Sequence, residues 1–242
     1  MNAPRAPGAG AAGLARVRAL SFDLDDTLWD CAPAIRRAEE TLHRWFEREA
    51  PRVVARHDRA SLAERRARIV AEHPEHVGDV TTMRRVVIGR LLAEHDYPES
   101  LVEPAFETFL AARCEVELYG GAAAMLARLA RRYPLAAITN GNADLERIGL
   151  ARHFAVILAA SAELPPKPSP VMFHRCAERL GIGAHELLHI GDNAGTDVGG
   201  AHAAGARALW FNRRGDSWPA ERAPPEFEVG SIAGLSRLLE GA

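Results

Sequence analysis

The stretch VRALSFDLDDT, residues 17–27, decides the fold. Val17 to Leu24 reads as a buried strand, and Asp23, Asp25, Asp26 and Thr27 crowd its carboxyl end. Beyond Gly121 strands recur, each led by a helix. A helix over 122–132 leads to the strand Leu135–Ile138, and a short helix to Ala155–Leu158. Helices over 170–180 and 196–204 lead to the strands Leu187–Ile190 and Ala206–Trp210, and a last helix covers 231–239. This alternation predicts right-handed crossovers and a parallel sheet with helices on both faces. Between the first strand and this series the pattern is helical. Segments near 34–49, 60–72, 81–96 and 100–113 space their apolar residues by three and four. The chain therefore reads as an α/β protein. A Rossmann-like three-layer core with a parallel sheet spans 16–29 and 116–242, and an α-helical cap over 30–115 is inserted in it. Residues 1–15, rich in Ala, Gly and Pro, read as a disordered leader. Gly8 to Gly13 match a dinucleotide-binding fingerprint, but no strand precedes them, so the match is rejected.

With 30 basic and 32 acidic residues the net charge is −2. That balance argues against nucleic-acid and membrane-surface partners, so an acidic substrate must be held by a local site. Cys31, Cys114 and Cys176 lie far apart and outside any CxxC. They suit neither a disulfide framework nor a zinc site, and the expected compartment is the reducing cytoplasm. Only one of the 30 basic residues is lysine, at position 167. In a chain this committed to arginine, a lone ammonium points to a site that needs a compact charge.

Ligands of an open parallel sheet sit beyond the carboxyl ends of its strands. Here those ends carry Asp23, Asp25, Asp26 and Thr27, then Thr139, Asn140 and Gly141, then Lys167, then Asp192, Asn193 and Asp197. Each group alone is an ordinary cap or turn; four segments agreeing make a site. Carboxylates gathered at one point repel each other and any anion, and a divalent cation removes that conflict. Oxygen ligands without His or Cys favour Mg²⁺. Its expected shell is the Asp23 carboxylate, the Asp25 carbonyl, the Asp192 carboxylate, a substrate oxygen and waters. The Thr139 hydroxyl and the Asn140 backbone N–H and amide are expected to meet phosphate oxygens. Lys167 is expected to supply the positive charge for the transferring group.

These residues resemble the haloacid dehalogenase-like hydrolase superfamily. The resemblance rests on Asp23-Leu24-Asp25-Asp26-Thr27, Ala137-Ile138-Thr139-Asn140-Gly141, Lys167 and Gly191-Asp192-Asn193-Ala194-Gly195-Thr196-Asp197. A helical insert after the first motif is similar to the C1-type cap. SFDLDDTLWD, DVTTMRR, AITNGN and HIGDNAGTDVGGA are similar to bacterial phosphatases of flavin mononucleotide and of 5-amino-6-(5-phospho-D-ribitylamino)uracil. The resemblance implies a Mg²⁺-dependent phosphatase of small phosphomonoesters. Asp23 would be the nucleophile, forming an aspartyl-phosphate, and Asp25 the proton donor and then base. Asp197 would orient Lys167 or the metal's surroundings, with Asn193 and Thr27 as supporting members, and the cap would close over the site.

Among alternatives, a dehalogenase has no leaving alkoxide to protonate, which leaves Asp25 without a task. A phosphonate hydrolase of this fold needs a cap lysine, which the chain lacks. A phosphomutase and a non-catalytic binding protein stay open. Trp29, Thr81, Thr82, Arg84 and Arg85 are candidates for leaving-group contacts, with helix packing as the competing reading. His73 and His76 read as a solvated loop, and His189 as a satisfied buried residue.

Overall fold

The computed structural model describes residues 14–57 and 59–241. The expected leader lies outside them over residues 1–13, as does the rejected glycine fingerprint. Leu14 is already buried in the core.

Six parallel strands run in the order β3-β2-β1-β4-β5-β6. They are β1 (Ala19–Phe22), β2 (Leu135–Thr139), β3 (Val156–Ala159), β4 (Leu187–Gly191), β5 (Arg207–Phe211) and β6 (Phe227–Val229). Strand order reverses between β1 and β4, which opens a crevice at their carboxyl ends. The inner strands are buried throughout and largely apolar because helices cover both faces. Leu20, Phe22, Leu188 and Ile190 pack toward α6 (Ala122–Leu129) and α10 (Ile232–Glu240). Ala19, Ala136 and Ile138 pack toward α8 (Val171–Leu180) and α9 (Gly200–Ala203). Two polar residues share that second face, Ser21 and His189, which are register partners and fully buried.

The insert forms α1 (Cys31–Glu49), α2 (Pro51–Ala55), α3 (Arg59–Glu72), α4 (Val80–Ala93) and α5 (Val102–Arg113). The α1 helix starts where the Asp30 carboxylate accepts the Ala32 N–H, and α4 where Asp79 accepts that of Thr82. Their apolar stripes, including Leu42, Phe46, Ile88, Leu92, Phe106 and Phe109, enclose a cluster separate from those on the sheet. The α7 helix (Leu145–Ile148) completes the set. In the α/β core, two features differ from the sequence-based expectation. The strand β6 was not predicted because it is three residues long and only half-buried. The helix predicted over 196–204 is a π-helical turn over Ala194–Gly199 followed by α9.

Candidate active site

Asp23 follows β1, and its N–H bonds the Ile190 carbonyl of β4, so it sits at the reversal of strand order. The Lys167 ammonium is only 3% exposed and donates all three protons. They go to Asp23 Oδ1 at 2.6 Å, Asp197 Oδ1 at 2.6 Å and the Ile138 carbonyl at 2.8 Å. Among the described residues no hydrogen bond reaches Asp23 Oδ2. Asn193 caps the π-helical turn through Gly195 and Thr196, and its own N–H donates to Asp197 Oδ2. That turn aims Asp197 back at the sheet.

Behind Asp197 runs a buried chain that the sequence did not reveal. His189 Nε2 lies 3.2 Å from Asp197 Oδ1, and His189 Nδ1 lies 2.9 Å from the Ser21 hydroxyl. Burial holds the imidazole below its ordinary pKa, hence neutral. An ionised Asp197 needs a donor, so Nε2 carries the proton and Nδ1 accepts from Ser21. Burial pushes the Asp197 carboxyl up, but Lys167 and His189 outweigh it and hold it well below the usual range. Burial pushes Asp23 up as well; Lys167 opposes this, but Asp197 and Asp192 add to it, and the net shift is upward. Burial, with Asp197 and Asp26, pushes Asp192 up to about 7. Burial lowers the Lys167 ammonium, yet Asp197 and Asp23 leave it above its ordinary value.

Carboxylate oxygens of Asp23, Asp192 and Asp197 all lie within 4.8 Å of one another. One ammonium cannot neutralise three carboxylates, and the raised Asp23 and Asp192 are those left short of positive charge. This all-oxygen donor set fits a hard divalent cation. The Asp25 side chain is engaged elsewhere. Its Oδ1 accepts from Trp29 Nε1 at 2.8 Å, and both its oxygens lie 2.6 Å from Arg113 Nη2. The turn that makes this possible bends at Asp26, with φ of 60°, a conformation Asp tolerates.

Other expected residues fall differently. Thr139 is buried and its Oγ accepts the Gly141 N–H, leaving the hydroxyl proton to donate. The Asn140 amide donates one proton to the Lys167 carbonyl and accepts the Lys167 N–H, clamping that peptide. Thr27 is fully buried, with no partner for its hydroxyl among the described residues. Trp29 is also fully buried, and its indole N–H is given to Asp25. Arg84 is held by Glu39 at 2.8 Å over the Phe109 ring, and Arg85 by Glu103 at 2.6 Å over Phe106. Thr82 bonds the Asp79 carboxylate at the start of α4. His73 bonds Glu75, and both His73 and His76 stay partly exposed. Arg113 escaped the sequence reading, although its place on the stripe of Phe106 and Phe109 marks a charge on an apolar helix face.

Gly191 leaves room for Asp197. A Cβ there would lie 2.3 Å from Asp197 Cγ, and Asp197 cannot yield because Lys167, His189 and the Asn193 N–H hold it. Gly191→Ala is expected to cost about 1–3 kcal/mol of stability through overpacking. It should also lower turnover by roughly 100-fold through misplaced groups. A thermal midpoint and turnover equal to wild type would remove the argument.

The sequence profile of the haloacid dehalogenase-like hydrolases matches residues 17–205. The 5-amino-6-(5-phospho-D-ribitylamino)uracil phosphatase of Escherichia coli is 32% identical over 234 residues, 93% of this chain and 98% of that protein. The phosphoserine phosphatase of Thermus thermophilus is 38% identical over 141 residues, 56% of each chain. Among solved structures, a 2-haloacid dehalogenase from Pseudomonas syringae superposes with a TM-score of 0.85 at 36% identity, covering 93% of this chain and 99% of that one.

Proposed function

This chain belongs to the haloacid dehalogenase-like hydrolase family, and from that membership we propose that it is a Mg²⁺-dependent phosphatase of small phosphomonoesters. The observation that carries the reading is a pair of carboxylates with separate environments. Asp23 touches Lys167 and shares the three-carboxylate cluster, while Asp25 is fixed apart by Trp29 and Arg113. Two such groups suit nucleophile and acid/base.

In this reading Asp23 Oδ2 attacks phosphorus while the bond to the leaving oxygen breaks. Asp25 gives that oxygen its proton. Asp25 then takes a proton from water as the water attacks the aspartyl-phosphate, releasing inorganic phosphate and Asp23. Lys167 and the Thr139 hydroxyl stabilise the charge on the phosphoryl oxygens. Asp197 holds Lys167 in place. Asp23, Asp192 and the Asp25 carbonyl would hold Mg²⁺, which would offset the carboxylates and polarise the phosphoryl group. We read α1 to α5 as a cap that shields the reaction from bulk water. The similarity to the Escherichia coli enzyme makes its ribitylaminouracil phosphate, and flavin mononucleotide, the first substrates to try.

Dehalogenation is the second reading, favoured by the 36% identical 2-haloacid dehalogenase. One panel separates the two. Phosphate release from flavin mononucleotide, the ribitylaminouracil phosphate, phosphoserine and sugar phosphates is measured with and without Mg²⁺, beside halide release from 2-haloacids. Mg²⁺-dependent phosphate release is expected, and halide release alone would replace this reading by the other.

The site also predicts how cation affinity varies with pH. The Asp192 carboxyl, ordinarily near 3.8, stands at about 7 in the folded chain. Between those values the folded state binds a proton that the unfolded state lacks, so cation-free stability falls as pH rises through the window. A cation must displace that proton at pH 6 but scarcely at pH 8, and the raised Asp23 carboxyl acts in the same sense, so Mg²⁺ affinity is expected to be at least about tenfold weaker at pH 6. Calorimetric titration checks this; equal affinities would detach Asp192 from the ion.

A further inference from the structure

Arg113 is the last residue of α5, is 1% exposed, and belongs to none of the motifs that end the strands. Only one of its nitrogens is used. Nη2 contacts both Asp25 oxygens at 2.6 Å, while Nε and Nη1 are buried without a partner among the described residues. Burying a guanidinium is costly, and among the described residues one carboxylate is the only acceptor that offsets it. Asp25 is in turn closed in from three sides. Trp29 Nε1 bonds Oδ1, Arg113 bridges both oxygens, and the backbone at Gly141 comes so close that a Cβ there would lie 2.6 Å from Oδ2. The Asp25 side chain keeps 21% exposure, so one direction stays open.

A structural tie between the helical insert and the sheet would be served by any ion pair. This one lands on the carboxylate already read as the proton donor. We infer that Arg113 is a positioning residue: through it the insert aims the Asp25 carboxylate at the leaving oxygen. The inference rests on the phosphatase reading and adds to it a contribution from outside the core motifs.

The experiment separates positioning from structure by its dependence on the leaving group. An alkyl phosphate needs a proton on its departing oxygen, whereas p-nitrophenolate leaves without one. Arg113→Met is expected to lower kcat on an alkyl phosphate by about 100-fold, the scale of general-acid catalysis, with KM changed less than about threefold. The initial burst of p-nitrophenol from p-nitrophenyl phosphate should stay within about threefold of wild type. Arg113→Lys, which keeps a charge on a shorter side chain with a differently shaped head, should recover part of the lost kcat. In an Asp25→Asn background Arg113→Met should cost nothing further on the alkyl ester, because both act through one group.

Equal losses on both esters, multiplicative losses in the double variant, or unchanged kcat in Arg113→Met would each overturn the inference. Should Arg113→Met fail to fold, the same two-ester comparison on Arg113→Lys decides, with an alkyl-selective loss supporting it and its absence overturning it. If Asp25→Asn alone keeps full alkyl-phosphate turnover, the role of Asp25 itself fails, a result distinct from failure of Arg113.

Discussion

Asp23→Asn is expected to reduce turnover by at least about 10⁴-fold, because it removes the attacking oxygen and not merely a contact that assists it. The amide keeps the shape of the side chain. It also takes one charge out of a cluster in which burial, Asp197 and Asp192 already work against ionised Asp23. Lys167 retains Asp197 and the Ile138 carbonyl as acceptors. The thermal midpoint without a divalent cation should therefore stay level with wild type or rise, while stabilisation by Mg²⁺ should shrink. Loss of activity with an intact fold is a stronger result than loss of activity alone, since a collapsed site would lower both. Phosphate release near the wild-type rate would end the assignment of Asp23, and a large drop in midpoint would mean that its charge holds the site together.

The parts of this site that were legible in the sequence are those the topology places. Asp23, Thr139 and Asp192 each end a strand of one parallel sheet, so a reader who finds the strands finds the edge on which they meet. Lys167 was conspicuous as the single lysine. The illegible parts are through-space pairings between distant positions. Arg113 meets Asp25 across 88 residues, and His189 meets Ser21 across 168. Arg84 was read as a candidate substrate contact because its partner, Glu39, is 45 residues away on another helix. Asn140 shows a tie of the same kind: its amide oxygen and one amide proton fix the Lys167 peptide, 27 residues away. The elements missed were short. The five-residue α2 begins at Pro51, and the three-residue β6 lies at the sheet's edge.

Lys167→Met should do the most damage to the fold as well as to turnover. The ammonium supplies three diverging hydrogen bonds inside a site that excludes water. Methionine fills much of the volume and makes none of them. Asp197 would keep the Asn193 N–H and His189, but the Asp23 carboxylate would lose its only hydrogen bond among the described residues. Breaking a buried pair by removing one partner costs about 3–5 kcal/mol. The loss should depend on pH in a defined sense. Without the ammonium, the folded-state pKa of Asp23 rises further above that of the unfolded chain, and that of Asp197 rises from below it. The folded variant then holds protons that the unfolded chain has released, and its stability relative to wild type falls as pH rises. Turnover should drop by about 10³-fold or more, the scale seen when a transition-state charge loses its stabiliser. Lys167→Arg is the sharper test. A planar guanidinium is larger and cannot send single donors to two carboxylates and the Ile138 carbonyl in the space an ammonium occupies. If Lys167→Arg kept wild-type turnover and midpoint, a compact charge would not be what this site requires, and the survival of one lysine among 30 basic residues would have no physical cause here.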